Sequence, residues 1–270
     1  MPTLILFNKP YGVHSQFRKD STEMRTLADY FSNPDLRVAG RLDKDSEGLL
    51  LLTDHGGLNH AITAPKTART AKTMGKTYLV QVENTPTPAQ ITQLSQGVVL
   101  KDGKTLPAVV RVLGDDELPI ALWQREPPIR ERKSIPTAWL VMTIFEGKNR
   151  QVRRMTASVG LPCLRLIRMQ IGEWSLVSQV LGQAAEQATK QVEQTQLGVG
   201  EYRSITLSQA DLVRLGVSGA PDDKKSTPTR QPKPRTAGHA QPTHTFKSKS
   251  HPQKRFSTHR QGGKNGGAKR

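Results

Sequence analysis

Ala39-Gly40-Arg41-Leu42-Asp43-Lys44-Asp45-Ser46-Glu47-Gly48-Leu49-Leu50-Leu51-Leu52-Thr53 is the stretch whose reading decides the fold. A turn carrying three acids, Asp43, Asp45 and Glu47, runs straight into four consecutive leucines. An apolar run bounded by Gly48 and by Thr53-Asp54 predicts a strand buried on both faces. The acids then sit at the mouth of a core strand. Two readings fit them: a solvated surface turn, or carboxylates held on a rigid base where burial and neighbours tune their ionisation.

Charge is spread unevenly along the 270 residues. The formal net charge is +17, and hydrophobic residues make up only 35% of the chain. From Pro221 to Arg270 there are 13 Lys and Arg against Asp222 and Asp223, so the tail holds +11 of that charge. It contains no Leu, Ile, Val, Met, Trp or Tyr. Such a segment cannot bury enough apolar surface to offset chain entropy, so disorder is expected from 218 to 270 and one folded domain over 1–217. The single cysteine, Cys163, excludes an intrachain disulfide and a cysteine-based zinc site. The first residues lack a basic leader pattern, and no apolar run reaches the length of a membrane span, so a cytoplasmic protein is expected.

Along the chain, Thr3–Phe7 predicts a strand, and Asn8-Lys9-Pro10-Tyr11-Gly12 a turn. A short helix is expected over Met24–Phe31, and helical turns around Leu58–Ile62. Tyr78–Val82 predicts a strand, and Thr87-Pro88-Ala89-Gln90 a helix start with a capping box. Val98–Leu100 and Ala108–Leu113 around the Asp102-Gly103 turn suggest a hairpin. Ala138–Phe145, mostly apolar on both sides, predicts a central strand, and Asn149 is placed as the cap of a helix through Val159. Leu164–Ile171 alternates as a strand, 178–200 predicts a peripheral helix or helical hairpin, and Ser208 caps a last helix. Many strands with few short helices indicate an α+β fold on a mixed, mainly antiparallel sheet.

There is no Gly-rich phosphate loop, no metal-ligand spacing and no Ser/His/Asp arrangement, so carboxylate chemistry in a basic protein remains. A desolvated aspartate needs a cation to stay ionised. Arg150-Gln151-Val152-Arg153-Arg154-Met155 can supply one, with Arg153 bordering the packed face, or can equally be a basic surface for RNA phosphates. Lys66, Arg69, Lys72 and Lys76 form either a flexible connection or a phosphate-contacting arm. Tyr78 is either plain core or a platform for a base.

Four blocks in this order carry a family resemblance: Asn8-Lys9-Pro10-Tyr11-Gly12, Gly40-Arg41-Leu42-Asp43 with its leucine strand, Lys76-Thr77-Tyr78-Leu79-Val80, and Glu146-Gly147-Lys148-Asn149-Arg150-Gln151-Val152-Arg153-Arg154-Met155. Together they resemble the RsuA-type pseudouridine synthases. The stretch 127–137 is similar to the branch of that family acting on 23S rRNA. The match begins near residue 4, without the separate N-terminal RNA-binding domain that many members carry. The 178–200 segment and the tail have no family counterpart.

The resemblance implies isomerisation of a uridine in 23S rRNA with no cofactor and no metal, by a monomer without membrane association. It implies Asp43 as the catalytic aspartate, Arg153 as its ionic partner, and Tyr78 stacked on the target uracil, with Asp45 and Glu47 as bystanders. Arg41, Lys9, Lys76, Arg130, Arg132, Lys133, Arg150 and Arg154 are the expected RNA contacts. An RNA-binding protein that has lost catalysis, or a synthase for another rRNA uridine, are the competing readings.

Overall fold

The computed structural model describes residues 1–64, 74–114, 116–129, 134–177 and 196–217. The expected disordered tail, the basic loop through Lys72 and most of the 178–200 segment lie outside these residues.

The leucine run forms β3 (Glu47–Thr53), buried at every position. It pairs antiparallel with β1 (Thr3–Lys9) and with the short β2 (Arg37–Ala39). On its other side it meets β9 (Cys163–Ile171) in parallel, through Glu47↔Ile167 and Gly48↔Arg168. β4 (Lys76–Glu83), β8 (Thr137–Ile144) and β7 (Val109–Leu113) continue the sheet antiparallel beyond β9. β11 (Tyr202–Thr206) pairs outside β1, and β10 (Trp174–Ser175) folds back on β9. The result is the expected mixed, mainly antiparallel sheet. Its two halves join over two residues of β3 and β9.

Alternation along the strands sends side chains to two apolar clusters. Leu50, Leu52, Tyr78, Val80, Leu140 and Leu166 share one face with Val152 and Met155 of α3 (Gln151–Ser158). Leu49, Leu51, Leu79 and Ile167 share the other with Leu58 and Ile62 of α1 (Gly56–Thr63) and Leu212 of α4 (Gln209–Arg214). The caps expected from sequence form: Thr87 and Gln90 close a box on α2 (Pro88–Gln96), and Ser208 caps α4.

Four local expectations change. The helix over Met24–Phe31 contracts to a single 3-10 turn, Leu27–Asp29, capped by Thr26. The hairpin is β5 (Val99–Leu100) with β6 (Gly103–Lys104), whereas β7 pairs with β8. β8 is one strand from the edge rather than central, because β7 takes its outer side. Asn149 does not cap α3; Arg150 stands at the cap with φ 47° and makes no side-chain cap bond, while Gln151 Oε1 accepts from the Lys148 amide at 3.0 Å.

Charged groups inside this framework are paired with backbone or with each other. Arg168, fully buried, donates from Nε to Leu49 O at 2.8 Å and from Nη2 to Gly40 O at 2.9 Å. Glu47 accepts from Arg165 at 2.9 Å through both oxygens and from Trp123 Nε1 at 2.7 Å. Lys9, expected to touch RNA, is instead wholly buried, with Nζ donating to Pro10 O at 2.9 Å and Val13 O at 2.8 Å. An ammonium without access to solvent cannot meet a phosphate, so its place is in holding the turn after β1.

Burial pushes the Lys9 ammonium down to about 7; Glu47 opposes the shift, Arg168 adds to it, and Asp45 and Asp43 oppose it. The unfolded chain therefore binds more protons than the folded one between about pH 7 and the ordinary lysine value, and stability rises with pH across that window. Lys9→Met should flatten the rise, by up to about 1.4 kcal/mol per pH unit, in denaturant titrations at pH 7, 8 and 9. Gly48→Ala should destabilise the fold by about 2 kcal/mol or more: φ is +97° and a Cβ would lie 2.4 Å from Arg168 O across the strand pair. A denaturation midpoint equal to that of the unaltered protein would refute this account of the β3–β9 junction.

Candidate active site

The turn between β2 and β3 is tied down at every carbonyl from Gly40 to Asp45. Arg168 donates to Gly40 O at 2.9 Å and Arg41 O at 3.4 Å. Ser15 Oγ donates to Leu42 O at 2.7 Å and accepts from the Leu42 amide at 3.1 Å. The Ser46 amide donates to Asp43 O at 3.1 Å, and the Gly12 amide to Lys44 O at 2.7 Å. Arg153 Nη2 donates to Asp45 O at 2.6 Å. Six carbonyls held from five different residues leave the turn little freedom, and the Asp43 side chain is positioned before any ligand arrives.

Asp43 projects into a cavity of about 930 Å³ lined also by Lys76, Tyr78, Arg150, Leu166 and Arg168. Its carboxylate keeps about a third of its surface exposed. Arg150 Nη1 reaches Asp43 Oδ2 at 3.4 Å while its guanidinium makes a two-pronged pair with Asp45, at 2.9 Å and 2.8 Å. Arg153, the ionic partner implied for Asp43, lies instead against Asp45, 3.6 Å from Nε to Oδ2, and donates to Cys163 O at 3.3 Å. The α3 helix thus approaches Asp43 through Arg150, whose left-handed backbone at the helix start swings its side chain toward the turn.

These pairings shift ionisation in defined directions. Burial pushes the Asp45 carboxyl up, but the Arg150 hydrogen bonds and the charges of Arg153 and Arg150 outweigh it and hold it below the usual range. Hydrogen bonding to Asp45 raises Arg150 in return. Burial, then the charge of Arg168, lowers the Lys76 ammonium. Burial lowers Arg168 too, with the Tyr78 hydroxyl and Asp43 opposing it. Burial raises the Cys163 thiol to about 11, so it is a neutral packing group beside Arg153.

Tyr78 lines the cavity from β4, opposite Arg168 on β9, with only 7% of its surface exposed. Arg41 is exposed beside the turn. Arg154 points away to a two-pronged pair with Asp102 at 2.7 Å and 3.0 Å. Arg130, Arg132 and Lys133 lie outside the described residues. Among the described residues no cluster of His, Cys, Asp and Glu suited to a metal ion occurs. Sequence reasoning passed over Arg168 and the Glu47–Arg165 pair. The signal was partial, since Arg168 alternates in register with Leu164 and Leu166 but also with Gln170.

Comparison with known proteins identifies the family. Residues 3–158 match the family model described as RNA pseudouridylate synthase. The ribosomal large subunit pseudouridine synthase E of Xanthomonas campestris pv. campestris is 56% identical over 181 residues, covering 67% of this chain and 92% of that protein. The ribosomal large subunit pseudouridine synthase B of Bacillus subtilis is 32% identical, covering 71% and 70%. A solved crystal structure of a pseudouridylate synthase superposes with a TM-score of 0.56 at 28% identity, over 80% of this chain and 74% of that one. The matched region contains the tethered turn, Tyr78 and the arginines of α3, and the chain belongs to the RNA pseudouridylate synthase family.

Proposed function

We propose that the chain isomerises one uridine of 23S rRNA to pseudouridine, as a cytoplasmic monomer, with Asp43 as the catalytic carboxylate. The observation that carries this reading is the Asp43 side chain, held by a fully tethered turn and pointed into the cavity that Tyr78 lines. High identity to relatives named for the large ribosomal subunit favours 23S rRNA as the substrate.

The reaction breaks the C1′–N1 bond, turns the freed uracil, and forms a C1′–C5 bond. C5 loses one proton and N1 gains one, so the rearrangement balances without a redox partner. The target base must leave its stack, at a cost of a few kcal/mol. Stacking on Tyr78, worth about 1–3 kcal/mol, offsets part of that. Positive charge grows at C1′ as the bond stretches, and an ionised Asp43 beside the sugar answers it. Arg150 contacts the Asp43 carboxylate and is itself anchored by Asp45, so Asp45 serves as the fixed base of the pair. Arg153 acts on the same turn from its backbone side. Arg41 and Lys76 are cations at the cavity available to phosphates, whereas Arg150 and Arg154 must first leave Asp45 and Asp102.

Asp43→Asn should abolish pseudouridine formation in a single-turnover assay while RNA affinity stays within a few-fold. Unchanged isomerisation in that variant would sink the assignment. Asp45→Asn should slow the reaction by about a hundredfold, because Arg150 loses its anchor and the carboxylate its alignment. For the substrate, reverse-transcription mapping of carbodiimide-labelled rRNA with and without the gene should lose one stop in 23S rRNA. A stop lost from 16S rRNA instead would overturn the substrate while leaving the chemistry intact.

A further inference from the structure

A second cavity, of about 570 Å³, opens on the sheet face opposite the Asp43 cavity. Across its floor, three paired strands present Trp139, Gln81 and Arg165 in one row: Gln81 pairs with Trp139 on β8 and with Arg165 on β9. Trp123 and Arg125 close one side. Trp123 is held rigidly, with Nε1 donating to buried Glu47 at 2.7 Å and its carbonyl accepting from Arg165 at 3.0 Å. The Arg165 guanidinium lies 5.4 Å from the centre of the Trp123 ring. Glu47 is neutralised by Arg165, and Trp123 and Trp139 give the cavity flat aromatic surface, with Glu83 at its edge. The volume falls within the range of small-molecule pockets, about 300–1,000 Å³.

We propose that this cavity binds an unpaired nucleobase of the RNA substrate, at a subsite separate from the Asp43 cavity. The inference rests on the chain acting on RNA, as proposed above. A nucleobase is the ligand whose chemistry fits: a flat π face for two half-buried tryptophans, and an edge of donors and acceptors for the Gln81 amide. A path between the two cavities exists at the rim. Arg125 stacks on Tyr11, 4.4 Å from guanidinium carbon to ring centre. Tyr11 immediately precedes Gly12, whose amide holds Lys44 O of the catalytic turn. A single strand with its uridine beside Asp43 therefore runs over the Lys44, Tyr11 and Arg125 edge to reach the tryptophans. Lys44 and Arg125 put positive charge along that edge, as a polyanion requires.

The test uses the full chain and a 23S rRNA fragment transcribed with 4-thiouridine, irradiated and mapped by mass spectrometry. Crosslinks at Trp123 or Trp139, besides those at Tyr78, are expected. Trp139→Leu should remove the Trp139 crosslink and weaken RNA binding about tenfold, in line with the loss of one stacked base. Arg125→Ala, an alteration at the rim that leaves both apolar clusters untouched, should weaken it about threefold. Crosslinks confined to the Asp43 cavity, or both variants binding RNA like the unaltered chain, would overturn the subsite. Isomerisation by the unaltered chain reports on the proposed function, whereas crosslink positions report on the subsite, so either can fail alone.

Discussion

The contact between Gly48 and Arg168 is the constraint on which the rest depends. Two half-sheets meet there over two residue pairs, and β3 can approach β9 so closely only because Gly48 has no Cβ to strike the Arg168 backbone. Arg168 also faces Tyr78 on the next strand. One residue thus sets the spacing between the strand that follows Asp43 and the strand that carries Tyr78. Its side chain then turns back and grips the carbonyls of Gly40, Arg41 and Leu49. Burying a guanidinium is expensive unless its donors are met, and here they are met by backbone carbonyls of the turn before β3 and of β3 itself. The energy of satisfying that charge and the positioning of the turn are therefore the same set of hydrogen bonds.

Much of this fold was legible in the sequence because its signals are local. The leucine run between Gly48 and Thr53 has one physical solution, a strand covered on both faces, and β3 is that strand. The capping boxes at Thr87 and Ser208 depend on residues three apart and form as read. Strand pairing was less legible. Val109–Leu113 alternates equally well against β5 or β8, and only the register of β8 with β4 leaves an open edge for it. The cap of α3 was misplaced for a similar reason. Asn149 has the better capping chemistry, but Gln151 Oε1 already takes the Lys148 amide and Arg150 adopts the left-handed conformation at the start.

The site was legible as residue types and less so as pairings. Spacing put Arg153 at the border of the packed face, and it does point inward, to the Asp45 carbonyl. Which guanidinium meets which carboxylate depends on an arginine with positive φ, and nothing in the sequence fixes that torsion. The three acids of the opening turn also separate only in three dimensions. Asp43 faces the cavity, Asp45 holds Arg150, and Glu47 is the first residue of β3, inside the opposite face with Arg165. Alternation places Glu47 and Gly48 on opposite sides of the sheet, so a turn that reads as one acidic patch feeds two different environments.

That division of labour bears on how a lone carboxylate works in so basic a protein. A free aspartate beside Arg150 and Arg168 would tend to collapse onto the nearer cation. Here the cations already have partners: Arg168 is committed to backbone carbonyls, Arg150 to Asp45, and Arg153 to the Asp45 carbonyl. Asp43 is left with one long contact of 3.4 Å and a third of its surface open. Positive potential remains to draw in a phosphate backbone, since pairing tethers these charges without removing all of their field. The Asp43 carboxylate is thereby left open to the cavity rather than closed into a two-pronged pair. Of the three acids, Asp45 makes that state possible by taking the strong pairing that Asp43 would otherwise make.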